Sequence, residues 1–451
     1  MKRLLLGALA LLTGMAVQAA EDAPADGAPL HPASYRHAGW AATSGGLGGP
    51  LLRVTTLAAD GPGSLKAALD TRGPRRIVFE VGGIIDLGGR HWQLREPFVT
   101  IAGQTAPDPG ITLVRGELQI ATHDVILQHL SFRPGAYGRA RRSGNEHDGL
   151  STVGGAFRVI VDHCSFSWAT DENLSASGPR FDGATPDDWR AATSHQLTYS
   201  HNLIYEGLGQ AVHPKGEHSK GSLIHDNVGD VLLLGNVYAS NRERNALFKG
   251  GARGAMVNNL IYNPGAKAVH YNLVAHEWGD HPWQTGRLTL VGNVYRAGPD
   301  TAPGLPLFVL GGAGDVALHL QDNLALDRQG QALPLSGRYT AAPARILPLD
   351  APELPAGLSW AAPAQLEALR PLWAGARPWA RDPLDQKLLS DVAEDRGQMI
   401  DDETQNNTAG LPRRAATRRA FVAADWHEDL SPRAGWASLF PGGRWPLPAP
   451  R

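Results

Sequence analysis

The sequence predicts an all-β solenoid, a chain wound into stacked coils of short strands. Two observations carry that expectation. The first is composition: 53 glycines and 33 prolines in 451 residues leave few uninterrupted stretches for long helices and favour short strands separated by turns. The second is an internal repeat. ILQHLSF, IVDHCSF, TYSHNLIY, LLGNVY, MVNNLIY, LVGNVY and LQDNLAL each run as an alternating strand into a small polar position, then into another short apolar run. Taken as equivalent, Leu130, Cys164, Asn202, Asn236, Asn259, Asn293 and Asn323 are separated by 34, 38, 34, 23, 34 and 30 residues. A fixed motif at spacings of about 20–50 residues marks stacked repeats, with the variable remainder of each repeat forming loops on one face. A β-sandwich with chance Asn-Val-Tyr similarities is the alternative, and the length of the repeating region weighs against it.

The elements follow in chain order. Lys2 and Arg3 precede an apolar run from Leu4 to Val17 and then Val17-Gln18-Ala19-Ala20, which reads as a secretory signal peptide over residues 1–20. The run is shorter than the roughly 20 apolar residues of a spanning helix. Residues 21–38 are expected to be a flexible segment and 39–347 the solenoid. In the solenoid the recurring Asn suits a sharp turn, because its amide hydrogen-bonds locally and tolerates left-handed backbone angles. Stacked coils would bring these amides into a ladder. Cys164 takes the ladder position of its own coil and reads as a buried small hydrophobe rather than a reactive thiol. It is the only cysteine, so packing, not an intramolecular disulfide, supplies stability. A Pro/Ala-rich stretch from Pro348 to Pro371 opens the C-terminal region, 348–451. There Leu384, Leu388, Leu389 and Val392 have helical spacing, and the tail is expected to fold back and brace the coils.

A formal charge of −2 gives no basic field for nucleic acid. No later segment is apolar enough to span a bilayer. The expected product is therefore secreted or periplasmic, free of the membrane after signal cleavage, and monomeric. Any polyanionic partner must be held by local cations or a metal.

Candidate chemistry lies in the loops. Glu146 and Asp148 in GNEHDGLS, and Asp171 and Glu172 in ATDENLS, are acids from neighbouring coils. Asp148 and Asp171 are 23 residues apart, about one coil, so they can lie side by side. Acidic pairs otherwise solvate loops. Trp168, beside them, either stacks on a sugar ring or packs against a loop. Lys215, Lys220, Lys249 and Lys267 share these coils with Arg244 and Arg253, a clustering that suggests an anionic groove.

Several motifs make the chain recognisable: GGLGGPLLRVTTLAADGPGSLKAALD, IVFEVGGIIDLGG, TIAGQTAPDPGI, DHCSFSWATDENLS, HPKGEHSKG, RNALFKGG, VNNLIYN and ARPWARDPLDQKLLSDV. In these it resembles the pectate lyase superfamily, and within it the polysaccharide lyase family of calcium-dependent pectate lyases, in its secreted bacterial branch. The resemblance implies a right-handed parallel β-helix that cleaves pectate or a related polyuronate by β-elimination with Ca2+. It places calcium ligands at Glu146, Asp148 and Asp171. Ser175 stands where the family carries a further carboxylate, so either Glu172 compensates or substrate completes the metal shell. The resemblance also implies that Arg244 is the base and Lys249 a substrate contact, with Ala246 in place of a common proline. Lys215 is the counterpart of the lysine that holds the substrate carboxylate. The matching segment is longer here, so Lys220 and His213 are further candidates, and Arg253 joins them as a substrate contact. Two other functions remain open: a β-helical polygalacturonase in which carboxylates activate water, and a non-catalytic solenoid that binds polyuronate.

Overall fold

The computed structural model describes residues 37–144, 146–369, 373–405, 410–412 and 414–441. The expected signal peptide lies outside the described residues.

The chain winds as a parallel β-helix. Each full coil contributes one strand to each of three sheets. Sheet I holds 11 strands, from Leu51–Val54 through His123–Gln128, Phe157–Asp162, His195–Ser200 and Gly229–Leu234 to Ile346–Pro348. Sheet II stacks Ser131–Arg133, Ser165–Ser167, Leu203–Tyr205, Val237–Ala239 and Leu260–Tyr262. Sheet III stacks Leu150–Thr152, Leu174–Ala176, Leu223–Ile224, Leu247–Lys249 and Val269–Leu273. The long strands Val81–Leu94 and Ile111–Ile120 run through both II and III.

Parallel pairing in register puts like on like. In sheet I, Leu127, Val161, Tyr199, Leu233, Met256 and Leu290 stack in one inward row, and all are buried. Sheet II faces them with Phe132, Phe166, Ile204, Tyr238 and Ile261, the two phenylalanines stacked at 5.0 Å. Each such side chain contributes about 1.5–3 kcal/mol on burial, so the core grows coil by coil.

The turn from sheet I to sheet II carries the ladder. Asn202, Asn236, Asn259, Asn293 and Asn323 each occupy the position just before a sheet II strand. Each side-chain oxygen of the last four accepts both the backbone and the side-chain N–H of the preceding Asn, at 2.9–3.0 Å. Cys164 ends the ladder by donating its backbone N–H to Asn202 Oδ1 at 2.8 Å. Burial pushes its thiol pKa up, as suits an inert thiol. The ladder asparagines do not take the left-handed backbone that the sequence predicts for them. The left-handed backbone belongs to the residue before the ladder position, at φ 59° for His129, 52° for His163 and His201, 62° for Gly235 and 51° for Asn258. The ladder asparagines are used for their amides.

The helix Pro383–Ala393 lies on sheet II. Leu388, Leu389 and Val392 pack with Leu203, Tyr205, Val237 and Leu260. The fully buried Arg133 guanidinium donates to Asp382 at 2.7 Å and Asp385 at 3.2 Å, and Asp385 also accepts from Ser165 at 2.6 Å and Tyr205 at 2.8 Å. The N-terminal end of the coils carries a short helix, Leu65–Leu69, capped by the Ser64 hydroxyl. There the buried Arg75 donates to five carbonyls, those of Ala68, Leu69, Gly73, Glu96 and Pro97.

Candidate active site

All the acidic and most of the basic candidates fall on one edge, along the connections from sheet II to sheet III. Leu150 pairs with Leu174, which sets Asp148 beside Glu172. The Glu172 backbone N–H donates to Asp148 Oδ1 at 2.9 Å. Glu172, Lys220 and Glu243 are then bridged in parallel from coil to coil. The result is a column of charged side chains along the loop edge.

At its N-terminal end, Asp148, Asp171 and Glu172 bring one carboxylate oxygen each within 4.8 Å of one another. Burial, and then the Glu117 and Asp171 charges, push the Asp148 carboxyl well above its usual range, against the bond from Ser175 and the Arg244 charge. Such a cluster is a poor resting place for three negative charges and a good one for a hard cation. Glu146 is exposed, with Oε1 3.8 Å from His213 Nε2. Ser175 is not left idle by the missing carboxylate: its hydroxyl donates to Asp148 Oδ2 and fixes that side chain.

Two histidines face the same acids. His218 Nε2 lies 3.3 Å from Asp171 Oδ1 and His213 Nε2 3.6 Å from Asp171 Oδ2, their rings stacked at 3.4 Å. His213 Nδ1 accepts the Lys215 backbone N–H at 3.1 Å, which places the hydrogen of the neutral ring on Nε2, toward the carboxylates. This explains a buried His213 better than a sugar contact does.

Arg244 follows in the next coils. It sits in the left-handed region at φ 64°, uncommon for a non-glycine residue and frequent at functional sites. Its Nη1 pairs with Glu172 Oε1. Burial lowers its pKa, while the charges of Asp171 and Asp148 raise it. The arginine and the acids therefore form one electrostatic unit.

The structure distributes the other predicted residues differently. Lys220 is buried and pairs with Glu243, which also holds Lys267. Lys249 is buried between Asp226, at 3.1 Å, and Glu277. Lys215 is exposed on its loop. Arg253 opens a sheet I strand past the next turn, in a cavity with Trp40, Asp230, Arg287 and Glu353, and is not gathered with Arg244. The lysine cluster is thus largely neutralised by carboxylates. Trp168 is fully buried among Leu208, Val212, Leu384 and Ile400, so it packs rather than offering a sugar platform.

Sequence reading missed Asp226, Glu277 and Arg180, which surround Lys249; Arg180 donates to Asp226 at 2.8 Å and Glu277 at 2.7 Å. It also missed Asn173 and Asn241, whose side chains join at 3.1 Å behind the acids. The Asn of DENLS was the available signal.

Fold and site together define a parallel β-helix bearing a carboxylate cluster coupled to an arginine. No family model matches the chain. It is 32% identical over 259 residues to a probable pectate lyase C of Emericella nidulans, a match covering 57% of this chain and 51% of that protein. To a probable pectate lyase C of Aspergillus terreus it is 31% identical, covering 57% and 52%. The chain thus spans about half the length of these relatives. In fold it is similar to a thermostable pectate lyase, with TM-score 0.50, 14% identity and coverage of 75% and 96%. It is also similar to jun a 1, the major allergen from cedar pollen, with TM-score 0.50, 14% identity and coverage of 74% and 90%. In sequence over part of its length the chain is similar to probable pectate lyases, and in fold to solved pectate lyases.

Proposed function

We propose that the chain is a polysaccharide lyase that cleaves pectate, or a related polyuronate, by calcium-assisted β-elimination. The observation that carries this reading is the sharing of Glu172 between the Asp148–Asp171 cluster and Arg244. Asp148, Asp171, Glu172 and Glu146 would hold the cation, since they supply oxygen donors of mixed geometry. Calcium bound there would withdraw charge from the substrate carboxylate and acidify its C5 proton. Arg244 takes that proton, the C5 electron pair becomes the C4=C5 double bond, and the C4–O4 bond breaks. The departing O4 is protonated from solvent. Lys215, exposed on the adjoining loop, is available to the substrate carboxylate, whereas Lys220, Lys249 and His213 act by positioning the loops.

The alternatives fit less well. The nearest oxygens of Asp148, Asp171 and Glu172 lie within 4.8 Å, closer than the about 6.5–9.5 Å an inverting hydrolase leaves for its water. A pure binding solenoid gives no reason for an arginine paired with a carboxylate cluster. The reading includes export to the periplasm or medium and a monomeric catalytic β-helix, 39–347, braced by 348–451. No helix among the described residues is long and apolar enough to cross a membrane.

The test is incubation of the purified protein with polygalacturonate and other polyuronates, with calcium and with chelator. The expected result is a calcium-dependent rise in ultraviolet absorbance from unsaturated uronate ends. New reducing ends without that absorbance would instead identify a hydrolase, and binding without new ends a non-catalytic solenoid.

A further inference from the structure

We propose that His91, Glu117 and His147 form a binding site for a first-row transition metal such as zinc, separate from the oxygen-rich cluster. His91 and Glu117 pair directly across adjacent coils, and His147 reaches them from the loop before Leu150–Thr152. One ligand atom of each lies within 4.8 Å of the others. Two imidazoles and a carboxylate suit zinc, copper or nickel, whereas calcium takes oxygen.

Two further observations point to a ligand. Glu117 is held from behind: its Oε1 accepts Ser151 Oγ at 2.6 Å and Gln119 Nε2 at 3.1 Å, which leaves Oε2 facing His91 Nδ1 at 3.1 Å. Metal-binding carboxylates are typically fixed by such outer contacts. His147 is 1% exposed, yet neither ring nitrogen has a hydrogen-bond partner, and its ring lies 4.5 Å from that of His91. A buried imidazole bare at both nitrogens needs an explanation, and a metal at one of them supplies it. His91 is about half exposed, which opens the site to ions from solution. His91 and Glu117 lie on the coils before Asp148, and His147 directly precedes it in the chain.

The full-length protein, stripped with chelator, is equilibrated with micromolar zinc, and bound metal is measured by elemental analysis. The visible spectrum of the cobalt form reports coordination geometry. We expect one zinc equivalent in the wild type, lost in His91→Ala and Glu117→Gln, weakened roughly 10-fold in Ser151→Ala, and retained in His218→Gln. His91 is exposed, so its variant tests the site without disturbing the core. No zinc bound to the wild type, or equal binding by His91→Ala, overturns the proposal. Loss in His218→Gln with retention in His91→Ala assigns the metal to Asp171, His213 and His218 and overturns it equally.

Discussion

At the scale of single residues, Arg244 and Ser175 carry the sharpest expectations. In the proposed lyase reaction Arg244 must shed a proton before it can act, and burial already lowers its pKa against the pull of Asp171 and Asp148. Lyase activity is therefore expected to rise with pH along the limb on which Arg244 deprotonates. Arg244→Lys should cut kcat by about 10²–10⁴-fold, the range of a positioned base, with KM little changed; initial rates on polygalacturonate at several pH values measure both. Ser175 answers the question its own sequence position raises. It does not replace the carboxylate; it orients Asp148, a proposed calcium ligand, through its hydrogen bond. Ser175→Ala should weaken calcium binding about 10-fold, as loss of a supporting contact does, read by calorimetric titration of the chelator-treated protein. The motif made Arg244 and the acids legible. It could not show that Lys220 and Lys249 are already paired with Glu243, Asp226 and Glu277, since those partners lie 23 to 28 residues away or on other elements.

At the scale of elements, the ladder and the tail helix make separate contributions. Asn236 accepts two hydrogen bonds from Asn202 and donates to Asn259 Oδ1 and Tyr199 O at 3.0 and 2.8 Å. Asn236→Ala strands buried partners on both neighbouring coils and should cost about 3–5 kcal/mol, measured as a drop in the urea midpoint. On sheet II, Arg133→Ala leaves the Asp382 and Asp385 carboxylates buried without their cation. About 3–5 kcal/mol is expected for such a broken pair, seen as earlier loss of the tail in limited proteolysis. The repeat announced the strands because inward rows need apolar residues at matched positions. The left-handed turn residue escaped notice because His129, His163, Gly235 and Asn258 share a backbone angle but no side-chain chemistry.

At the scale of the whole molecule, acid sensitivity follows from histidines buried neutral. Burial, joined by nearby lysine and arginine charges and opposed by Glu243, pushes His270 down to about 3. Burial likewise lowers His225 to about 4. The unfolded chain takes up these protons near pH 6.5, so between there and the folded values it binds more protons than the native state. Stability is thus fully present above about pH 6.5 and is lost as pH falls through the folded values. Urea midpoints compared at pH 7 and pH 4 should fall on acidification, and His270→Gln should flatten that slope.

The sequence by itself determined the stacking: the repeat, the glycines and prolines, and the ladder asparagines are local signals that recur at each coil. It also marked the loop edge where Asp148, Asp171 and Arg244 would gather. Only the tertiary structure decided which charges meet. Pairing depends on coil-to-coil register and on loops of unequal length, so a lysine near an arginine in sequence can be spent on a carboxylate a coil away. It alone also brought His91, Glu117 and His147 together, because residues 26 and 30 positions apart, as these are in order along the chain, meet only once the coils are wound.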